Sequence, residues 1–288
     1  MRVRAPAKVN LYLHVLGRRP DGYHELDSLV AFPDIADMVA ARPGAGLSLA
    51  IDGPFAAALG GDPEGNLVLR AARLLARAAG IAADAALTLT KNLPVASGIG
   101  GGSSDAAAAL RALCRLWHLR PGEARLDEIA CALGADVPAC LLARPAWLGG
   151  IGERIVPAGA LPLLGIVLVN PLRGLPTHAV FAARRGAFSA PGRPGALPTA
   201  GDALLALLRR QRNDLTEAAV GILPEIAAIL DGLAAEEGVL LSRMSGSGAT
   251  CFALCADARA AGHVARRIAA ARPGWWVRAG QLDGNRDV

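Results

Sequence analysis

Apolar and polar residues alternate near the start of the chain. Val9, Leu11, Leu13 and Val15 face one way and Asn10, Tyr12 and His14 the other, the period of a half-buried strand. Lys8 and Asn10 then share its polar face. Residues 17–23 (Gly-Arg-Arg-Pro-Asp-Gly-Tyr) form a turn by their Pro-Asp-Gly core and present Tyr23 and His24 before a second strand at 26–32. Short strands are expected at 38–41 and 47–51. The period then changes. A loop at 61–65 leads to Asn66, a natural N-cap, and Leu67, Ala71, Leu74, Leu75 and Ala78 follow at helical spacing until Gly80. Residues 85–91 alternate again as a strand ending at Lys91. A helical run reaches about Leu116, and another at 126–133 stops at Gly134.

The pattern changes at 149–152, where a second domain is expected, dividing the chain into residues 1–149 and 150–288. Residues 166–169 form a continuous apolar strand. A helix begins within 175–183, and 186–201 is a surface loop rich in Pro and Gly. Helices are expected at 203–209, 224–233 and 258–271, with strands at 239–244, 250–254 and 275–279. Strands and helices mixed in this way imply a two-layer α+β domain.

Between the strand at 85–91 and the helix after it lies Leu93-Pro94-Val95-Ala96-Ser97-Gly98-Ile99-Gly100-Gly101-Gly102-Ser103-Ser104-Asp105. Four glycines in five positions let backbone approach a ligand without intervening side chains. A helix opening at Ser103 and Ser104 offers unpaired N–H groups and the positive end of its dipole, a natural phosphate site. No lysine follows Gly102, which excludes a Walker loop, and Ser103 with Pro94 argues against a dinucleotide fingerprint. A turn that merely caps a helix remains the plain alternative. Asp136, a lone carboxylate in apolar surroundings, has two readings. It is either the N-cap of a short helix aided by Pro138, or a carboxylate buried at the foot of a cleft and tuned as a proton acceptor.

Composition narrows the class. With 288 residues, 53% hydrophobic and 19% charged, the chain has ample core. It has no run of about 18 uncharged apolar residues to span a membrane. The opening Met1-Arg2-Val3-Arg4-Ala5-Pro6 lacks an apolar signal core, so cytoplasmic residence is expected. Five cysteines without Cys-x-x-Cys spacing are expected as buried reduced thiols. The net charge of +5 is spread over helix faces with few aromatics, which suits a polyanionic small substrate better than nucleic acid. Of 30 basic residues only Lys8 and Lys91 are lysines, and both fall beside the candidate chemistry.

Pro6-Ala7-Lys8-Val9-Asn10-Leu11, the 98–105 cradle and Ser245-Gly246-Ser247-Gly248-Ala249-Thr250 resemble the three signature motifs of the GHMP small-molecule kinases. Asp21-Gly22-Tyr23-His24 and Leu133-Gly134-Ala135-Asp136-Val137-Pro138 tighten the resemblance to one family within them, the 4-diphosphocytidyl-2-C-methyl-D-erythritol kinases. The sequence departs from that family's pattern at Ile99, often Leu, and at Trp147-Leu148-Gly149-Gly150.

The resemblance implies a ribosomal-protein-like N-terminal α/β domain, a ferredoxin-like C-terminal domain and an active site in the cleft between them. It implies that ATP phosphates rest on Gly98, Gly100, Gly101, Gly102, Ser103 and Ser104, flanked by Pro94 to Ser97 and Ile99, with Asn66 and Lys91 near the adenine. The cytosine of a cytidyl substrate would stack between Tyr23 and Phe181, with His24, Asn10 and Thr177 among its contacts. Asp136 would accept the hydroxyl proton, and Lys8 would hold it in place. Mg²⁺ is expected on the nucleotide, touched by Ser103 or Ser104, without a dedicated protein metal site. Nucleic-acid and membrane partners are not expected, and the chain is expected as a monomer or weak homodimer. Homoserine or mevalonate kinase activity and RNA binding are the rival readings.

Overall fold

A computed structural model describes residues 1–60, 65–120 and 122–282; most of the loop read at 61–65 lies outside them. Among the described residues, strand pairing gives three four-stranded sheets. The first runs β1 (Arg2–Pro6), β4 (Ala36–Arg42), β6 (Ala85–Thr90), β5 (Leu47–Asp52), with only the β5–β6 pair parallel. The α-helices α1 (Leu67–Ala79) and α2 (Gly101–Leu116) share one apolar core with this sheet. In α2 the four residues Ala106 to Ala109 are fully buried, and their small side chains bring the helix axis close to its neighbours. Asn66 caps α1 as its sequence suggests, accepting from Val68 N at 2.9 Å, and Gly80 ends it at φ 67°. Helices α3 (Glu123–Leu133) and α4 (Val137–Leu142) complete this half.

The second sheet runs β2 (Val9–Arg18), β3 (His24–Ala31), β7 (Ala146–Gly150), β8 (Arg154–Pro157). Its first strand corrects the half-buried reading. Tyr12 and His14 on the polar side are as buried as the apolar residues between them, at 0% and 6% exposure. The cause is a second cover from the C-terminal half: Arg243 Nη1 donates to Leu11 O at 2.6 Å, and Leu13 N donates to Arg212 O at 3.0 Å. The pattern change at 149–152 is the turn of the β7–β8 hairpin. The sheet continues to Pro157, and by strand pairing the second half begins after it.

That half holds β9 (Leu164–Asn170), β10 (Val239–Met244), β11 (Cys251–Cys255) and β12 (Trp276–Leu282), in the order β10-β11-β9-β12 and wholly antiparallel. Helices α5 (Thr177–Ala183), α6 (Gly201–Arg209), α7 (Thr216–Ile222) and α8 (Glu225–Ala234) lie between β9 and β10, and α9 (Ala258–Ala271) between β11 and β12. This is the ferredoxin-like order, elaborated in its first crossover. Residues 186–200 carry neither helix nor strand, and the loop read to 201 ends where α6 begins. Cys140, Cys251 and Cys255 are buried thiols as expected, but Cys131 is exposed on α3 and Cys114 is half-buried. No helix among the described residues is long and apolar enough to cross a membrane.

Candidate active site

A cleft of about 1400 Å³ opens between the start of α2, the β2–β3 turn, the start of α4, helix α5 and the 245–248 loop. One wall is the glycine stretch. Gly98 and Gly100 have φ of 75° and 64°, which a side chain would strain. A Cβ on Gly98 would also stand 2.3 Å from Gly248 O, and one on Gly100 would crowd Lys8 Cβ at 3.2 Å. The two glycine loops therefore meet backbone to backbone, and Lys8 passes directly behind the cradle. Thr250 fixes that meeting: its N and Oγ1 donate to Ser97 O at 3.2 and 2.6 Å. Ser245 Oγ accepts from Asn10 N at 3.0 Å. Ser104 N makes an α2 bond back to Gly100 O, so the N–H groups of Gly101, Gly102 and Ser103 form the helix's leading edge.

The cradle as read from sequence is broader than its ligand-facing surface. Ala96, Ser97, Gly98, Gly100, Gly101, Gly102 and Ser103 line the cleft. Pro94 and Ile99 are buried beneath it, and Val95 is exposed outside the lining. Ser104 is buried and spends its hydroxyl on Pro6 O at 2.6 Å, so of the two serines only Ser103 turns to the cleft.

Asp136 lines the same cleft as Ser103. Its Oδ1 lies 2.5 Å from Lys8 Nζ, in a charge-assisted hydrogen bond. Asp136 occupies the N-cap position of α4, but neither the side-chain cap nor the burial expected from sequence is present. The side chain makes no capping bond to α4, and it is 43% exposed. The Lys8 side chain is 7% exposed and its backbone N donates to Ile99 O at 2.8 Å, so cradle and ammonium are fixed relative to each other.

The opposite wall is aromatic. His24 stacks on Phe181, with centroids 5.1 Å apart and planes at 27°. His24 occupies one face of Phe181, while Tyr23, expected with Phe181 to hold a cytosine, stands 60% exposed at the rim. Burial lowers the His24 pKa, and the cations Arg18 and Arg184 lower it further, which keeps the ring neutral at pH 7. Asn10 Nδ2 donates to Ser28 Oγ at 2.8 Å, and Thr177 Oγ1 lies 2.9 Å from Ser247 Oγ; all four residues line the cleft. Ser28, Ser247, Arg18 and Arg184 were not singled out from sequence as ligand contacts. Ser247 sits in a glycine motif that was visible there, whereas the arginines are two among 28 and carry no local signal.

Lys91 and Asn66 lie elsewhere. Lys91 is 1% exposed, with its ammonium held between Asp37 and Asp105, below the cradle and without access to the cleft. Asn66 is taken up in capping α1 and is also outside the lining. Burial pushes the Asp105 carboxyl up to about 8, against the pull of Lys91, and Asp37 adds to the rise. Burial alone would lower the Lys91 pKa, but Asp105 and Asp37 raise it. One ammonium thus serves two buried carboxyls, and burial raises the pKa of one of them, Asp105. Among the described residues no group of three His, Cys, Asp or Glu gathers as a metal cage.

The sequence matches the GHMP kinases N terminal domain over residues 66–144 and the GHMP kinases C terminal domain over 195–273. It is 50% identical over 281 residues to 4-diphosphocytidyl-2-C-methyl-D-erythritol kinase from Paramagnetospirillum magneticum, covering 97% of this chain and 98% of that one. It is 52% identical over 283 residues to the enzyme of that name from Paracoccus denitrificans, covering 98% and 96%. Among solved structures, a 4-(cytidine 5'-diphospho)-2C-methyl-D-erythritol kinase superposes with a TM-score of 0.80 at 37% identity, covering 99% of this chain and 100% of that one. A homoserine kinase from Cytophaga hutchinsonii shares the fold, with a TM-score of 0.72 at 19% identity, covering 99% and 95%.

Proposed function

Because this chain belongs to the GHMP kinases, and within them to the 4-diphosphocytidyl-2-C-methyl-D-erythritol kinase family, we propose that it moves the γ-phosphoryl of ATP onto a hydroxyl of that cytidyl compound, a step toward isoprenoid precursors. The observation that carries the chemistry is the Lys8–Asp136 pair held against a glycine cradle at one end of a single cleft.

Phosphoryl transfer asks a protein chiefly for positioning and charge stabilisation. The N–H groups of Gly101, Gly102 and Ser103 receive the ATP phosphates at the positive end of α2. With Oδ1 of Asp136 on Lys8, Oδ2 accepts the proton of the attacking hydroxyl. The hydroxyl oxygen bonds to the γ-phosphorus, the bridge to the β-phosphate breaks, and ADP leaves with that electron pair. Lys8 keeps the carboxylate aimed and offsets the charge that builds on the phosphoryl oxygens. Mg²⁺ entering on the nucleotide would neutralise charge on the ATP phosphates, and the half-buried Ser103 hydroxyl at the cradle would be the side chain to hold it. The cytidyl end lies against Tyr23 and the His24–Phe181 stack, with Asn10 and Thr177 among the polar contacts.

The test is ADP release measured over a panel of phosphoryl acceptors with ATP. Turnover is expected with the cytidyl compound and not with homoserine, mevalonate or galactose. Tyr23→Ala should lower kcat/KM for that acceptor about 5- to 150-fold, the worth of one base–aromatic stack, with ATP affinity unchanged. Equal turnover of a substrate without cytosine would refute the reading.

A further inference from the structure

The segment after α5 changes role within a few residues. Phe181, Arg184 and Phe188 line the outer wall of the cleft. The chain then runs along β2 and β3, tied to them by a series of hydrogen bonds. Ser189 N donates to Val15 O at 2.9 Å, and Ser189 Oγ donates to Asp214 Oδ2 at 2.6 Å. Ala190 O lies 3.2 Å from His14 Nδ1, whose ring partner Nε2 accepts from Arg212 N at 3.4 Å. The centre of this stitching is Asp27 on β3, 7% exposed. Its Oδ2 accepts from Gly192 N at 2.5 Å and from Arg193 N at 3.2 Å, while its Oδ1 accepts from Tyr12 OH at 3.0 Å. Gln211 Nε2 holds Gly192 O from the other side at 3.2 Å.

Irregular surface segments ordinarily satisfy their backbone with water and move. Residues 189–193 instead hang from a buried carboxylate, a strong acceptor for backbone N–H. The geometry matters because of where Asp27 sits: it is three residues along β3 from His24, whose ring stacks on Phe181. The cleft wall is therefore fastened to one strand at both its ends, at Phe181 and at Gly192. Between them Arg184 donates to the carbonyls of Gly186 and Ala187 and covers the Phe188 ring at 4.8 Å, which stiffens the span.

We propose that Asp27 is a positioning residue for the phosphoryl acceptor: through Gly192 and Arg193 it straps residues 189–193 to β2 and β3, and so holds Phe181 and Arg184 at the spacing that the cytidyl end requires. The inference rests on the acceptor reading above. Asp27 touches no reacting atom and lies away from the ATP cradle, so its effect falls on one substrate.

The test compares wild type, Asp27→Ala and Gln211→Ala. ATP and the cytidyl acceptor are titrated separately, and amide hydrogen exchange is followed across residues 184–193 with no substrate present. For Asp27→Ala the acceptor KM should rise about 10- to 150-fold, the worth of one hydrogen bond to a charged group. The ATP KM and the kcat at saturating acceptor should stay within about twofold, and exchange over 184–193 should quicken. Gln211→Ala, which removes one bond from the opposite side, should shift the same quantities by a smaller factor, and it carries the test if Asp27→Ala does not fold. Faster exchange with an unchanged acceptor KM overturns the proposal, as does an equal rise of both KM values. A wild type that does not turn over the cytidyl acceptor removes the reading beneath it as well, and is told apart because it needs no variant.

Discussion

Lys8 and Lys91 are the chain's two lysines, each is paired with aspartate, and the two pairs sit on opposite sides of one glycine loop. Lys8 meets one carboxylate, Asp136, whose side chain is 43% exposed to the cleft. Lys91 meets two, Asp37 and Asp105, and all three side chains are 3% exposed or less. Access separates them. A carboxylate that takes a proton from a substrate must reach it, and Asp136 does so while Lys8 keeps it aimed. The second cluster is a structural tie. Asp37 lies on β4, Lys91 just past the end of β6 and Asp105 in α2, and Asp37 Oδ1 also accepts from Leu93 N at 2.8 Å where the cradle begins. A Cβ on Gly101 would stand 3.1 Å from Lys91 Nζ, so the compact ammonium fits under the cradle where a planar guanidinium would not. Lysine persists at both places in an arginine-rich chain, for reach in one and for size in the other.

The contrast breaks first at Asp136. Asp136→Asn keeps the shape and loses the proton acceptor, and kcat should fall by about 10²–10⁴. ATP affinity and melting temperature should stay close to wild type, because the side chain is half-exposed and caps nothing. Steady-state kinetics beside a melting curve decide it; near-normal turnover would leave Asp136 without the role given to it. Lys91→Met should do the reverse. Two buried carboxyls lose their cation, which costs about 3–5 kcal/mol of stability, while the folded fraction retains its kcat. Urea denaturation followed by fluorescence measures the first quantity, and active-site titration the second. If Lys91→Met left stability intact and abolished nucleotide binding, the two lysines would be alike in function.

Much of this was legible in the sequence, and the failures share a cause. The Asn66 cap and the Gly80 stop depend on neighbours within a turn, so local spacing carries them, whereas α2 opens at Gly101, two residues before the serines that were read as its start. Lys8, Asn10, Gly98, Gly100 to Ser103 and Asp136, all singled out from sequence, line one cleft. What the sequence misassigned depends on distant segments. Tyr12 and His14 alternate like an exposed face, yet segments around Arg212 and Arg243, some 200 residues on, bury them. Lys91 next to the cradle looks like a ligand contact until Asp37 and Asp105 close over it. Residues 149–152 look like a boundary because a hairpin turn and a linker share the same composition. The 186–201 loop was recognised as irregular, but nothing in its Pro and Gly content foretold that Asp27 would hold it down.

The smallest expected effect lies within the buried cluster, in the titration of Asp105. In the folded protein burial keeps its proton on up to about pH 8, whereas in the unfolded chain it leaves near the ordinary 3.8. Between those values the folded state binds more protons than the unfolded one, so stability falls as pH rises through that window. The contribution is intact below about pH 4 and is spent above about pH 8. Asp105→Asn imitates the protonated acid and removes this dependence. At pH 5, where the folded carboxyl is neutral already, the variant should melt close to wild type. At pH 9 it should melt higher, by roughly 2–4 °C for each kcal/mol recovered. Calorimetric melting at the two pH values provides the measurement. Equal destabilisation by Asp105→Asn at both pH values would mean that Asp105 is ionised beside Lys91, and that the buried cluster carries a net negative charge directly beneath a phosphate site. A frame of that sign would repel the ligand it supports, which is the electrostatic reason to expect the proton to be there.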